Sequence, residues 1–189
     1  KRDWLHIDDT HLALPGIDVL SLNNHWLDKE DQPKLVWIPD GINRPAVTDA
    51  QFDWLDGKLA EHDDRPALLA IHAPLRGVPA RLNAERATID VPVTSYTQPL
   101  SALLDRHPRL RLVLSGHSHV CFTEHIGSRI ESSTAAFTES PCDVRLIDVA
   151  PGLITVRTDA LDPPGIRTMD QSRAWVGGDD GDRTFSIGT

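Results

Sequence analysis

Three histidines in this sequence have the position and spacing that metal chemistry needs. His117 and His119 are separated by one residue in a Gly-His-Ser-His run, directly after the apolar run 110–114. An apolar run that stops at a glycine predicts a buried strand ending in a tight turn. His72 follows a second apolar run, 67–71, in the same way. Neutral imidazole is a common metal ligand, so we predict that His72, His117 and His119 bind metal.

Helical patterns alternate with these two apolar runs. Thr48 and Gln51 have the spacing of a capping box, and apolar residues then recur at helical spacing until about 62–64. A second helix is predicted from 95 or 97 to 107, closed by Pro108. Strands buried on both faces and alternating with helices favour an α/β fold. In such sheets ligands bind beyond the carboxyl ends of the strands, so the three histidines are expected to meet at one edge.

The sequence has a different character on either side of this region. Short strand candidates are 17–22 and 35–38 before it, and 120–126, 129–132, 144–149 and 153–158 after it. The last two candidates are joined by Pro-Gly and predict a hairpin. The final thirty residues are rich in Pro, Gly and Asp, with a last strand candidate at 184–187.

The composition excludes some classes of function. The protein has 189 residues, and 28 acidic against 19 basic residues give a net charge of −9. No Lys/Arg cluster stands out, so no nucleic-acid footprint is visible. No apolar run approaches the roughly 18 residues of a membrane helix and no signal-peptide pattern opens the sequence, so we expect a soluble protein; its compartment stays open, with the cytoplasm slightly favoured. Cys121 and Cys142 are interpreted as buried free thiols, with a disulfide as the alternative.

These motifs resemble those of the calcineurin-like metallophosphoesterases, and the resemblance covers most of the sequence. Gly116-His-Ser-His119 looks like the last metal motif of that family, and His72-Ala-Pro74 looks like the one before it. Gln51-Phe-Asp-Trp-Leu55 is similar to a Gln-x-x-Trp-Leu pattern on the helix that precedes the His72 strand. Residues 17–24 look like the strand that follows the Gly-Asn-His motif of the family, and 140–146 resembles its second sheet.

The resemblance implies a fold and a domain organisation. The fold would be part of a two-sheet α/β/β/α sandwich whose N-terminal strands are missing. The protein would then be one incomplete domain over 1–189. Its α/β part, 1–119, would carry the histidine ligands, 120–160 would form second-sheet strands, and 161–189 would be an irregular tail.

The resemblance also implies a metal-dependent phosphoester hydrolase, either a phosphomonoesterase or a phosphodiesterase, with a dinuclear metal centre. His72 and His117 would bind one metal and His119 the other, and no catalytic residue is assigned. Mixed nitrogen and oxygen ligands suit Mn, Fe or Zn. In such a centre the two ions activate a bound water and neutralise the phosphate oxygens during in-line attack.

The sequence also departs from the family pattern. The remaining ligands of the family come from Asp-x-His, Gly-Asp-x-x-Asp and Gly-Asn-His-Asp/Glu motifs, and the last two are absent. The letters Asp-x-His occur at 9–11, too close to the next strand for the other motifs to fit, so we interpret that match as chance. His25 follows two asparagines, but it lies after the strand candidate 17–22, whereas the Gly-Asn-His motif of the family precedes that strand. We therefore expect these 189 residues alone to be inactive and to need an N-terminal segment or a second chain for the missing Asp, Asn and His ligands.

A substrate contact is predicted in the irregular stretch 75–94, which follows the His72 strand and carries Arg76, Arg81 and Arg86. Guanidinium groups bind phosphate in bidentate fashion, and Arg76 is the predicted substrate-binding residue because it is nearest to His72. The partner would be a small phosphoester. Two alternative functions stay open: the same fold could serve as a non-catalytic interaction scaffold with a degraded metal site, or the three histidines could form a single zinc site.

Overall fold

The structure is a computed structural model that describes residues 9–24, 47–62, 64–76, 78–82, 96–136, 142–161 and 176–189. The strands of the first sheet are β1 (Thr10–Leu14), β2 (Ile17–Leu22), β3 (Ala67–Ile71), β4 (Leu110–Ser115), β5 (Phe122–Ile126) and β6 (Arg129–Ser133). Their spatial order is β1-β2-β3-β4-β6-β5. A second sheet has the order β7-β8-β9, formed by β7 (Asp143–Ala150), β8 (Leu153–Ala160) and β9 (Thr184–Gly188).

The four central strands of the first sheet run parallel. β2 pairs with β3, β3 with β4 and β4 with β6 in parallel, whereas β1 and β5 add antiparallel edges. β3 and β4 are apolar along most of their length because both faces of the sheet are covered. The carboxyl ends of β2, β3 and β4 therefore lie side by side, each followed by a loop.

Two helices cover one face of the first sheet. Helix α1 (Asp49–Ala60) begins with the predicted capping box, in which Thr48 accepts from the Gln51 N–H and the Gln51 side chain accepts from the Thr48 N–H. Helix α2 (Thr97–Asp105) buries its leucines in the same layer. The apolar core between the helices and the sheet includes Leu55, Leu59 and Leu104. No helix within the described ranges is long and apolar enough to span a membrane.

The second sheet packs on the opposite face of the first sheet. Ile154, Val156 and Ile187 of the second sheet share an apolar cluster with Leu68 and Leu112 of the first sheet. Arg145 on β7 joins the layers by donating to the carbonyls of Ser133 at 2.8 Å and Asp182 at 2.7 Å. These contacts hold the three layers, helices, first sheet and second sheet, in one stack.

The segments that follow the histidine loop differ from the expectation in two ways. Strands at 120–133 were expected in the second sheet, but β5 and β6 pair with each other and β6 pairs with β4, so they complete the first sheet. The tail over 161–189 was expected to be irregular apart from a strand candidate at 184–187; it also contains helix α3 (Asp180–Arg183), and β9 confirms the strand candidate. β9 is ordered because it pairs with β8.

Other segments add to or fall outside the sequence expectations. β1 was not predicted, and it is a largely exposed edge strand that lacks the apolar pattern of a core strand. The turn at Pro15-Gly16 is present, with Gly16 at φ +82°. The strand candidate 35–38 lies outside the described residues, as do residues 83–95, whereas Ala80–Leu82 forms a short 3-10 helix. Cys121 and Cys142 are buried free thiols, as expected by default.

Candidate metal centre

The structure brings His72 and His117 together at the carboxyl ends of two adjacent parallel strands. His72 follows β3 directly, and His117 lies two residues beyond β4. The Nε2 atom of His72 is 2.9 Å from the Nδ1 atom of His117, and the ring centroids are 4.9 Å apart at an interplanar angle of 74°. His72 is exposed and His117 is buried. One imidazole therefore faces solvent while the other is fixed beneath it.

The Gly-His-Ser-His loop adopts an unusual backbone conformation. His117 and His119 have φ angles of +60° and +56°, in the left-handed region that non-glycine residues seldom occupy. Ser118 between them is buried and fastens the turn, since its N–H donates to the Gly116 carbonyl at 2.6 Å. The Ser118 hydroxyl also contacts that of Ser133 on β6 at 3.2 Å. Strained residues held by their surroundings concentrate at functional sites, and this loop is such a case.

The loop after His72 is held from one side by a buried carboxyl group. Glu131 on β6 is 0% exposed, and its Oε1 accepts from the Leu75 N–H at 2.6 Å. Burial raises the pKa of Glu131 to about 7, although the bond from Leu75 and the charge of Arg76 act in the opposite direction. The other carboxylate oxygen has no hydrogen-bond partner among the described residues. Glu131 thus supports the segment that carries Arg76.

The histidine pair fits one metal ion, but the described residues do not complete a centre. Zinc–imidazole bonds are about 2.0–2.1 Å long, so two nitrogens on one ion lie about 2.9 Å apart at an angle of about 90° and about 3.3 Å apart at the tetrahedral angle. The His72–His117 separation of 2.9 Å, which is also a hydrogen-bond distance, lies at the short end of that range. Within the described ranges no group of three or more His, Cys, Asp or Glu side chains could hold a metal. His119, which the resemblance assigns to the second metal ion, is not part of a three-ligand group among the described residues, and its role as a ligand stays a prediction.

Of the three arginines in the stretch 75–94, the structure describes Arg76 and Arg81. Arg76 is exposed and lies four residues after His72. Arg81 is already bound, since its two terminal nitrogens contact the carboxylate of Asp182 at 2.6 and 2.8 Å. It is therefore a structural residue rather than a phosphate ligand. Arg86 lies outside the described residues.

Asp9 and His11, which carry the Asp-x-His letters at 9–11, contact other side chains and the backbone of the described residues. Asp9 accepts from the Asn23 N–H at 2.7 Å and from the Gln51 side chain at 3.0 Å. His11 lies 3.3 Å from the carboxylate of Asp18, which Arg109 also contacts at 2.8 Å. His25 lies outside the described residues.

Sequence reasoning missed two buried polar residues beside the histidines, Asn24 and Glu131. Asn24 is 0% exposed and its amide binds the backbone of His72 and Ala73. Its position just past a predicted strand was a usable indication, because polar side chains at carboxyl ends of parallel strands commonly serve a site. Glu131 lies within a strand and gave no such indication, since its partner is 56 residues away in sequence.

Comparisons with known proteins agree with this architecture. No protein-family model matches the sequence. Over 68 residues, or 36% of its length, it is 40% identical to a 3′,5′-cyclic-nucleotide phosphodiesterase from Nostoc sp. (strain PCC 7120), of which it covers 23%. The structure resembles the crystal structure of a dimetal phosphatase from Danio rerio with a TM-score of 0.63 and 11% identity, over 95% of this chain and 60% of that one. The protein thus has a metallophosphoesterase-type fold, which confirms the predicted resemblance and α/β class, and it spans only part of either relative.

Proposed function

We propose that this protein supplies the C-terminal metal ligands of a metal-dependent phosphoester hydrolase. The observation that carries the proposal is the contact of the His72 and His117 ring nitrogens at the ends of two adjacent parallel strands. Two imidazoles from separate strands, one on a strained loop, are a costly arrangement for a purely structural role. The phosphodiesterase and dimetal phosphatase relatives support this class of chemistry.

The proposed centre holds two metal ions, each Mn, Fe or Zn, as the description of the Danio rerio relative suggests two metals for its own site. His72 and His117 bind one ion and His119 binds the other. The ions supply an activated water and neutralise charge on the phosphate. We infer that the remaining ligands come from an N-terminal segment or a second chain, which is consistent with the lack of a three-ligand group among the described residues.

Arg76 is the proposed substrate contact. Its side chain is exposed beyond the end of β3, and its segment is anchored by the bond from Leu75 to Glu131. An exposed guanidinium next to a metal pair can hold two phosphate oxygens in bidentate fashion. Both phosphomonoesters and phosphodiesters satisfy this contact, so the proposal covers both substrate classes.

The test is hydrolysis of p-nitrophenyl phosphate and bis(p-nitrophenyl) phosphate, with Mn²⁺, by the whole gene product that contains these residues. We expect turnover that falls at least about 100-fold in His117→Ala, which removes a metal ligand. The matched control is His125→Ala, an exposed histidine on β5, and it should keep the parental rate. Arg76→Ala should raise KM more than it lowers kcat, because it removes a contact made in the bound state.

Each outcome of this assay is decisive. If His117→Ala hydrolysed the substrates at the parental rate, the proposal would be contradicted. Absence of both turnover and stoichiometric Mn, Fe or Zn in the gene product would instead support a non-catalytic scaffold. The 189-residue chain alone should show no turnover, and a robust rate from it would contradict the requirement for further ligands.

A further inference from the structure

The side-chain amide of Asn24 contacts the backbone at His72, although Asn24 belongs to none of the metal motifs named above. Its Oδ1 accepts from the N–H groups of His72 at 2.9 Å and Ala73 at 3.0 Å. Its Nδ2 donates to the Ala73 carbonyl at 2.8 Å and to the Tyr96 hydroxyl at 3.2 Å. The side chain is 0% exposed.

These four contacts use the full hydrogen-bonding capacity of an asparagine side chain, which has two donors and an oxygen that accepts twice. They also fix which end of the amide faces which partner. A rotated amide would set its NH₂ group against two backbone N–H donors and its oxygen against a carbonyl. Asn24 is therefore bound in a single orientation by its surroundings.

The contacts extend the pairing of β2 and β3 past the end of the backbone ladder. Leu22 is the last residue of β2 in register with β3, opposite Ile71. Two residues further on, the side chain of Asn24 takes over and binds the next two residues of the β3 side, His72 and Ala73.

The same histidine is fixed from its other side by the metal-motif loop. The His72 carbonyl accepts from the Gly116 N–H at 3.0 Å. The backbone of His72 is thus held between Asn24 on the β2 side and the residue that precedes His117 on the β4 side. Because both the N–H and the carbonyl of His72 are hydrogen-bonded, the position from which its side chain starts is fixed relative to His117.

Tyr96 closes the network from the start of helix α2. Its hydroxyl is buried, receives the Nδ2 bond of Asn24, and donates to the Pro74 carbonyl at 3.1 Å. The turn that follows His72 therefore has hydrogen-bond partners from β2 and α2. These partners are neutral, so the arrangement does not depend on protonation near neutral pH.

We propose that Asn24 is the positioning residue of His72, holding its imidazole at the distance from His117 that one metal ion requires. The inference rests on the proposed function, since it assigns Asn24 a role through a metal ligand. Groups that orient metal ligands commonly change metal affinity about 10- to 100-fold when they are removed. Asn24 acts on the ligand backbone rather than on the ring nitrogen.

The test measures the zinc affinity of the whole gene product that contains these residues, by competition with a chromophoric chelator. Asn24→Ala should raise the zinc dissociation constant about 10-fold or more. Tyr96→Phe removes one partner of the amide and should raise it about threefold, intermediate between the parent and Asn24→Ala. Leu59→Ala, at a buried core residue of α1, is the control for lost stability and should leave the constant unchanged in the folded protein.

A parallel variant separates the two proposals. If His117→Ala binds zinc as tightly as the parent, the proposed function fails. If His117→Ala weakens binding while Asn24→Ala does not, only the positioning role is overturned. Should Asn24→Ala not fold, Tyr96→Phe decides: a dissociation constant equal to that of the parent contradicts the inference, and a threefold rise supports it.

Discussion

Replacing Glu131 with glutamine should remove the pH dependence that this residue imposes on stability. The carboxyl group is fully buried on β6, where it accepts from Leu75 and faces Arg76 and Glu124. Burial raises its pKa from 4.5 to about 7. At about 1.4 kcal/mol for each pH unit, this difference corresponds to about 3 kcal/mol.

The sign follows from proton binding. Between pH 4.5 and about 7 the folded protein retains the Glu131 proton and the unfolded protein loses it. The stabilising contribution is therefore fully present below pH 4.5 and is lost as the pH rises through 7. Glutamine keeps an oxygen for the Leu75 N–H and has no proton to lose, so the Glu131→Gln variant lacks this loss.

The assay is urea denaturation followed by tryptophan fluorescence, at pH values from 5 to 8. The free energy of unfolding of Glu131→Gln, relative to that of the parent, should increase by about 2.5 kcal/mol between pH 5 and pH 8, because part of the shift lies below pH 5. The control is Glu61→Gln, at an exposed carboxyl group. The hydrogen bond from Lys58 outweighs desolvation and lowers the pKa of Glu61. Glu61 therefore stays ionised in the folded and the unfolded protein over this pH range. A difference between Glu131→Gln and the parent that does not change with pH would refute the reasoning.

Two further substitutions test the contacts between the C-terminal segment and the rest of the fold. Gly178→Ala should lower the free energy of unfolding, measured by urea denaturation, by about 3 kcal/mol or more. The φ angle of Gly178 is +68°, and a Cβ at this position would lie 2.5 Å from the Cys121 carbonyl oxygen. Asp182→Asn should cost about 2 kcal/mol at pH 7 by weakening the contact of this buried carboxylate with the partly exposed Arg81. Burial raises the pKa of Asp182, but the bond from Arg81 and two backbone N–H groups outweigh this and lower it. The stabilisation is thus present above pH 3.8 and lost as the pH falls further, so parent and variant should converge in acid, whereas a constant difference would contradict the pairing.

Local patterns were sufficient to predict the two strands that carry the histidines and the helix that precedes them. The apolar runs before His72 and His117 are long enough for buried strands and end at turn residues, so their carboxyl ends could be placed. The capping box of Thr48 and Gln51 located the start of α1 because it depends on residues three apart. Placing His72 beside His117 then required only that β3 and β4 be parallel neighbours.

Long-range pairing decided what the sequence could not predict. Strands β5 and β6 have the same local pattern whether they join the first sheet or the second, and only their pairing with β4 settles the matter. β1 is largely exposed, and it exists because β2 offers an edge to pair with. Asn24 finds its partners 48 and 49 residues away, so no local pattern identifies them.

The central claim is that His72 and His117 bind the same metal ion, and X-ray absorption at the zinc edge of the zinc-loaded protein tests it directly. We predict at least two imidazole nitrogens at about 2.0–2.1 Å, with one fewer in His117→Ala and one fewer in His72→Ala. A coordination shell made of oxygen alone, or one that is unchanged in both variants, would contradict it.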